Sequence, residues 1–426
     1  MVNIDLLYSF ILCLVFAIAN FLKLGLRNKT YALPSTFFAL MWGLTSLGGF
    51  LYSNLLTGIA KNYFDDVYLQ EISSYQLSML IVVFAAFLLA RFTRREISVE
   101  DFSGFDSSVI VDIRHKTQWI LYLFFILGIY RLISVTSVTG WDYSAIRTYY
   151  LDSRHNFSEY ELYFLRIASY LSQFAVLYIC ILGMESALIG IKLRKVVTDF
   201  LLFAPMMMSL GGRLFILAFF APFIFSYLLT YSIARDKEKK IDRKLLLVLG
   251  LPVVMVIVVQ ILKMDETIST ETIGAYSTEV FYTSSSYIHM KELWYSLPDE
   301  FPLGYGLNSL GVGSPVYSQI LEIWELENNP ASVCVPSMIP QAFLDFGKNG
   351  SLVFFFIVFY LIEDRAMVCM KSLTLKNMLI IILLCLVTYQ TVMSSAFYCL
   401  RAFIVGYVCL IIFNRFCHSK IVKTPY

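Results

Sequence analysis

Charge is what this sequence has least of. Asp, Glu, Lys and Arg make up 15% of the 426 residues against 58% hydrophobic, and the mean hydropathy is +0.70. That leaves too little polar surface for a water-soluble globule of this length. A net charge of +2 supplies no basic domain or stripe, so DNA and RNA are not expected partners. The eight cysteines include no CxxC pair and no metal-ligand spacing, which argues against a zinc site or a redox dithiol. They read as packed small hydrophobes, with Cys334 and Cys399 the one disulfide pairing that the topology below allows. HExxH, GxSxG, Walker and dinucleotide-binding motifs are all missing, which argues against a protease, serine hydrolase, ATPase or dehydrogenase. The adjacent Asp65 and Asp66 read as solvated carboxylates, so no metal or other cofactor is expected. Internal repeats and the inverted duplication of many transporters are also absent.

What is present is a series of apolar runs of about 20 residues, the length that crosses a bilayer as a helix. They predict spans near 4–22, 33–56, 75–92, 117–137, 161–190, 196–212, 214–234, 245–263, 340–362, 377–396 and 400–414. The expected fold is therefore an all-α integral membrane protein, a polytopic bundle of about eleven transmembrane helices. Every second loop is basic, as in the connection carrying Arg91, Arg94, Arg95, Arg114 and Lys116 and in RDKEKKIDRK at 235–244, while loops such as 57–74 are poor in Lys and Arg. The positive-inside rule then puts the N-terminus outside and the C-terminus in the cytoplasm. The first run lacks a basic n-region and a small-residue cleavage site, so it reads as a retained helix. The whole of 1–426 reads as a single membrane domain carrying two notable outer segments, 138–160 and the large loop 264–339 between the eighth and ninth helices. Loops of such length usually carry function.

Arginines at membrane depth are the first candidates for chemistry. In SLGGRLFILAFFAPF, Arg213 follows a run of roughly 17 residues, or about 25 Å of helix, short of a hydrocarbon core of about 30 Å. Arg401 precedes Arg415 by about 21 Å of helix and falls at similar depth. Placing an arginine there costs about 2.5 to 3.5 kcal/mol, so each marks an anionic partner or a snorkelling anchor. Arg147 and Arg154 in RTYYLDSR share one face if that stretch is helical, with Tyr143 and Tyr150 near the same stripe. Such a face suits a diphosphate and a sugar, and it equally suits an interfacial helix with no ligand. Arg131 and Arg166 lie inside predicted helices and extend the same basic funnel or pair with neighbouring acids. His289 is the only histidine of the large outer loop and the candidate general base.

The GGR turn at 211–213, the arginine-bearing segment 138–160, FPLGYGLNSLG at 301–311 and PSMIPQAFLDFGKNGSLVFFFIVF at 336–359 together resemble the bacterial O-antigen polymerases of the Wzy type. The resemblance covers roughly the C-terminal two-thirds of the chain. It implies polymerisation of undecaprenyl-diphosphate-linked oligosaccharide repeat units at the periplasmic face of the inner membrane, with a chain-length regulator protein as a further partner. Arg213 and Arg401 would stabilise the leaving diphosphate, Arg147 and Arg154 would add phosphate or sugar contacts, and Asp345 would orient the acceptor hydroxyl or cap a helix. O-antigen ligases share the general layout, and a lipid-linked oligosaccharide flippase is the chief alternative of another class.

Overall fold

Where they are described, the apolar runs fold as helices. In this computed structural model the described residues are 4–22, 33–55, 67–94, 107–141, 159–209, 214–233, 242–250, 303, 305, 337–371, 374–392, 405–409 and 411–412. Among them no strand occurs, and ten principal helices run in chain order: α1 Ile4–Phe21, α2 Pro34–Leu55, α3 Val67–Thr93, α4 Ser107–Thr117, α5 Trp119–Thr139, α6 Glu159–Ile189, α7 Leu193–Ser209, α8 Leu214–Ile233, α9 Met338–Cys369 and α10 Leu375–Gln390. Four described stretches are long and apolar enough to cross a membrane: Ile4–Phe21, Gln70–Thr93, Ser107–Thr139 and Tyr170–Ile189.

The polarity of α1 is reversed relative to a surface helix in water. Its buried stripe is Leu6, Ser9, Cys13, Ala17 and Asn20, at the three- and four-residue spacing of one helical face. Its exposed side carries Tyr8, Ile11, Leu14, Val15 and Ile18. Small and polar residues inside with large apolar residues outside is the arrangement that a lipid solvent favours.

The chain divides into two compact units. The first comprises 1–99, 268–372 and 383–403, where α1 packs on α2 and on α3, and α3 packs on α9. Its core is aromatic: Phe38 sits edge-on to Phe84, Phe87 and Phe359, and Phe16 stacks on Phe84 at 4.3 Å. The second comprises 100–267, 373–382 and 404–426. Within it α8 lies along α6, and α7 lies along α5. Close approach in this unit depends on two glycines. A Cβ at Gly183 would stand 2.5 Å from the Phe223 carbonyl oxygen, and one at Gly128 would stand 2.4 Å from the Met206 amide nitrogen. The five cysteines among the described residues are buried and unbridged, as packed hydrophobes should be.

Hydropathy misplaces three elements, one of them α9, which runs to Cys369 rather than ending near 362. Helix α3 begins at Val67 rather than near 75, because its early turns bury Ser73 and Gln76 together with Ile72 and Tyr75. Gln76 donates to Ser46 Oγ at 2.9 Å, a polar contact inside protein that an average over apolar residues cannot register. Segment 107–117, read as part of a basic loop, is the helix α4, whose buried side is Ile110, Ile113, Arg114 and Thr117.

Candidate active site

The feature that distinguishes α9 is a break. Ser337 caps its start, with its side chain accepting from the Ile339 amide, and Pro340 sits in the first turn where no helical amide is lost. The helix then runs to Phe346 and is interrupted at Gly347, whose φ of 69° and ψ of −177° belong to a region open essentially to glycine alone. A break inside an apolar helix frees backbone carbonyls that must find donors. Just past the break, Ser351 Oγ bonds back one turn to the Gly347 carbonyl at 2.7 Å and meets the Tyr75 hydroxyl of α3. The Tyr305 amide supplies a donor for a freed carbonyl, that of Asp345, at 3.1 Å.

That second bond joins two segments distant in sequence. Tyr305 belongs to FPLGYGLNSLG, and Asp345 and Gly347 belong to FLDFG. Leu303 completes the seat, its Cδ2 lying 3.9 Å from the position a Cβ on Gly347 would take. Tyr305 itself has a left-handed φ of 47° and is 82% exposed. Asp345 is fully buried, and the bond from Tyr305 reaches its backbone carbonyl rather than its carboxyl. Capping at the start of α9 belongs to Ser337 instead.

The other predicted site residues are placed as follows. Arg131 is buried on α5 with its guanidinium 5.4 Å from the centre of the Phe164 ring, a cation–π contact between α5 and α6. Arg166 lies on α6, and its side chain falls outside the described residues. Arg213, Arg401, His289, Arg147, Arg154, Tyr143 and Tyr150 also lie outside them, as do Cys334, Cys399, Asp65 and Asp66. Among the described residues no cluster of His, Cys, Asp and Glu could hold a metal.

Two buried charge clusters escape a reading of the sequence. In the first unit, Arg91 at the end of α3 donates through Nε to Glu363 on α9 at 2.9 Å and through Nη1 to Asn20 on α1 at 2.7 Å. The Glu363 carboxylate also accepts from the Ser35 amide at 3.2 Å and the Ser35 hydroxyl at 2.7 Å. The ends of α1, α2 and α3 meet the side of α9 there. Beside them Arg94 forks onto Asp364, with Nε 2.6 Å and Nη2 3.1 Å from the two carboxylate oxygens. In the second unit, Arg114 of α4 pairs with Glu185 of α6, Lys195 of α7 stands 3.7 Å from the same carboxylate, and Tyr178 donates to Asp199 at 2.8 Å. Burial lowers the affinity of the Lys195 ammonium for its proton, with Glu185 opposing that shift. Glu185 and Asp199 do carry a sequence signal, since each is an acid inside an apolar run.

These clusters are closed: each charge is met by a neighbour of opposite sign or by hydrogen-bonding side chains, which suits holding helices together. The junction of Tyr305 with the α9 break is different, because it leaves a large polar-tipped ring outside. No family model matches the chain, and neither a curated protein nor a solved structure does.

Proposed function

We propose that this chain is a multi-span glycosyltransferase of the bacterial inner membrane that polymerises undecaprenyl-diphosphate-linked oligosaccharide repeat units at the periplasmic face. The observation that carries this reading is the Tyr305 to Asp345 bond. It brings Tyr305, a residue of one resembling segment, onto the break in the helix that carries another, FLDFG. Irregular backbone at membrane depth is tolerated where it is buried in protein or lines a polar cavity, which suits a site that receives a lipid-linked polar substrate.

In the proposed reaction the anomeric C–O bond of the donor breaks, the glycan passes to a hydroxyl of another lipid-linked repeat unit, and undecaprenyl diphosphate leaves with the negative charge. Arg213 and Arg401 take the role of stabilising that charge, since preorganised guanidinium donors in a water-poor site are strongest where charge develops. Arg147 and Arg154 contribute further phosphate or sugar contacts beside Tyr143 and Tyr150. His289 is the base for the acceptor hydroxyl, and no nucleotide or metal is required.

The accompanying topology is about eleven spans with a periplasmic N-terminus and a cytoplasmic C-terminus. Support comes from the meeting of Asn20, Ser35, Arg91 and Glu363, because the predicted spans place all four at the cytoplasmic ends of their helices. The contact of Arg114 with Glu185 fits the same count independently, with an even number of predicted crossings between them.

The test is deletion of the gene and complementation with wild type, Arg213→Ala or Arg401→Ala at matched membrane levels, followed by gel profiling of surface glycan. A polymerase predicts glycan capped by one repeat unit, not rescued by either variant. Loss of all capped glycan with lipid-linked repeats held on the cytoplasmic side would identify a flippase. Long lipid-linked polymer outside, without transfer, would identify a ligase.

A further inference from the structure

Tyr305 is the most exposed large hydrophobic side chain among the described residues. A φ of 47° is the left-handed region, which a residue with a Cβ occupies under strain and a glycine occupies freely. An exposed phenol ring recovers none of that strain through burial. Nor does the ring hold its segment in place. The Tyr305 amide makes the bond to the Asp345 carbonyl, and Leu303 lies on the open side of Gly347. Anchoring and display are therefore assigned to different groups, and the ring is free to meet something else.

We propose that the Tyr305 ring is a stacking platform for a pyranose ring of the oligosaccharide substrate, an inference that rests on the glycosyltransferase reading above. A phenol offers a flat π face against which the C–H groups of a sugar can pack, and its hydroxyl can donate to or accept from a sugar hydroxyl. Being uncharged, it suits a neutral polyol and contributes nothing to a diphosphate, whose binding falls to arginine. The bond to the α9 break fixes the Tyr305 backbone within the first unit, so a sugar seated on the ring lies close to Asp345 and Gly347. Tyrosine has only two side-chain torsions to order on binding, so the contact costs little side-chain freedom.

The experiment restores wild type, Tyr305→Phe, Tyr305→Leu or Tyr305→Gly to a strain lacking the gene, at matched membrane levels, and reads glycan chain length on gels. Glycine keeps the amide that bonds Asp345 and relaxes φ, so it removes the ring while favouring the seat. The proposal expects Phe to restore most of the long chains, and Leu and Gly to reduce them about tenfold, the order of one aromatic contact. Rescue by Leu equal to Phe overturns it, because any apolar group then suffices, as in a lipid anchor. Rescue by Gly overturns it as well. A deletion that leaves chain length unchanged removes the polymerase reading and this inference together, whereas full rescue by Leu and Gly in a strain that needs the gene removes this inference alone.

Discussion

Arg91 and Glu363 stand 272 residues apart in sequence and 2.9 Å apart in space, with the carboxylate wholly buried. Each ion loses several kcal/mol of hydration on burial, and the loss is offset only where geometry and further hydrogen bonds are good. Here they are, since Ser35 donates twice to Glu363 and Asn20 accepts from Arg91. Asn20 in turn donates to Thr36 at 2.9 Å, so the polar groups that close α1, α2, α3 and α9 at this end satisfy one another.

Removing one partner should therefore be worse than removing both. Glu363→Leu leaves the Arg91 guanidinium buried without its counter-ion and is expected to cost about 3–5 kcal/mol. The double variant Arg91→Met with Glu363→Leu is expected to recover most of that loss. Thermal unfolding of the detergent-purified chain, run as a double-mutant cycle, measures the coupling. A double variant less stable than either single one would show that the cluster is worth more than apolar packing.

Hydropathy makes the helices legible in this chain because an apolar run of span length has few other uses. It finds α1, α2, α5, α6, α7 and α8 within a few residues of their observed ends. It cannot find what joins them. Arg91, Arg94 and Arg114 read as loop charges that report orientation, yet Arg91 and Arg114 are largely buried and all three pair with acids. Periodicity is equally silent about the interruption of α9, since Gly347 resembles any other glycine until its φ is known. The candidate site was legible only as two separate segments. Their junction is a backbone hydrogen bond, and no side-chain pattern encodes it.

Gly183 sets how closely α6 and α8 approach. An added Cβ would lie 2.0 Å from Ser226 Oγ and 2.5 Å from the Phe223 carbonyl oxygen, and the latter is backbone and cannot swing away. Gly183→Ala is expected to destabilise by about 1–3 kcal/mol through overpacking, and Gly183→Val by more. Combining Gly183→Ala with Ser226→Ala should recover only part of the loss, because the contact with Phe223 remains. Unfolding temperatures of the three variants decide this.

Asp242 predicts a pH dependence. Its carboxylate accepts from the Lys244 amide at 2.9 Å and the Ile191 amide at 3.0 Å, tying the turn after α6 to the helical stretch 244–250. Those bonds, the Lys244 amide first, hold its pKa below the ordinary 3.8. A carboxyl with a depressed folded pKa contributes stability that is complete above its unfolded value and is lost as pH falls through the folded one. Wild type should therefore exceed Asp242→Asn in unfolding temperature by a constant margin from neutral pH down to about 5, and that margin should shrink below the unfolded pKa of about 3.9. A margin already shrinking between pH 7 and 5 would point to a different titrating group.

Gly347 links the fold to the proposed chemistry. Space is available there, since the nearest atom to an added Cβ is Leu303 Cδ2 at 3.9 Å, so any cost of substitution must come from the backbone. With φ at 69° and ψ at −177°, alanine is expected to cost about 1–3 kcal/mol or to drive α9 toward a continuous helix. A continuous helix would reclaim the Asp345 carbonyl for its own ladder and release the Tyr305 amide. Gly347→Ala should then shorten the surface glycan as strongly as loss of the Tyr305 ring does. Gly250→Ala, at an ordinary helical glycine with nothing within 4 Å of the new Cβ, should leave both stability and chain length near wild type. If Gly347→Ala keeps full chain length, the interruption of α9 serves packing alone, and the seat of Tyr305 has no part in the reaction.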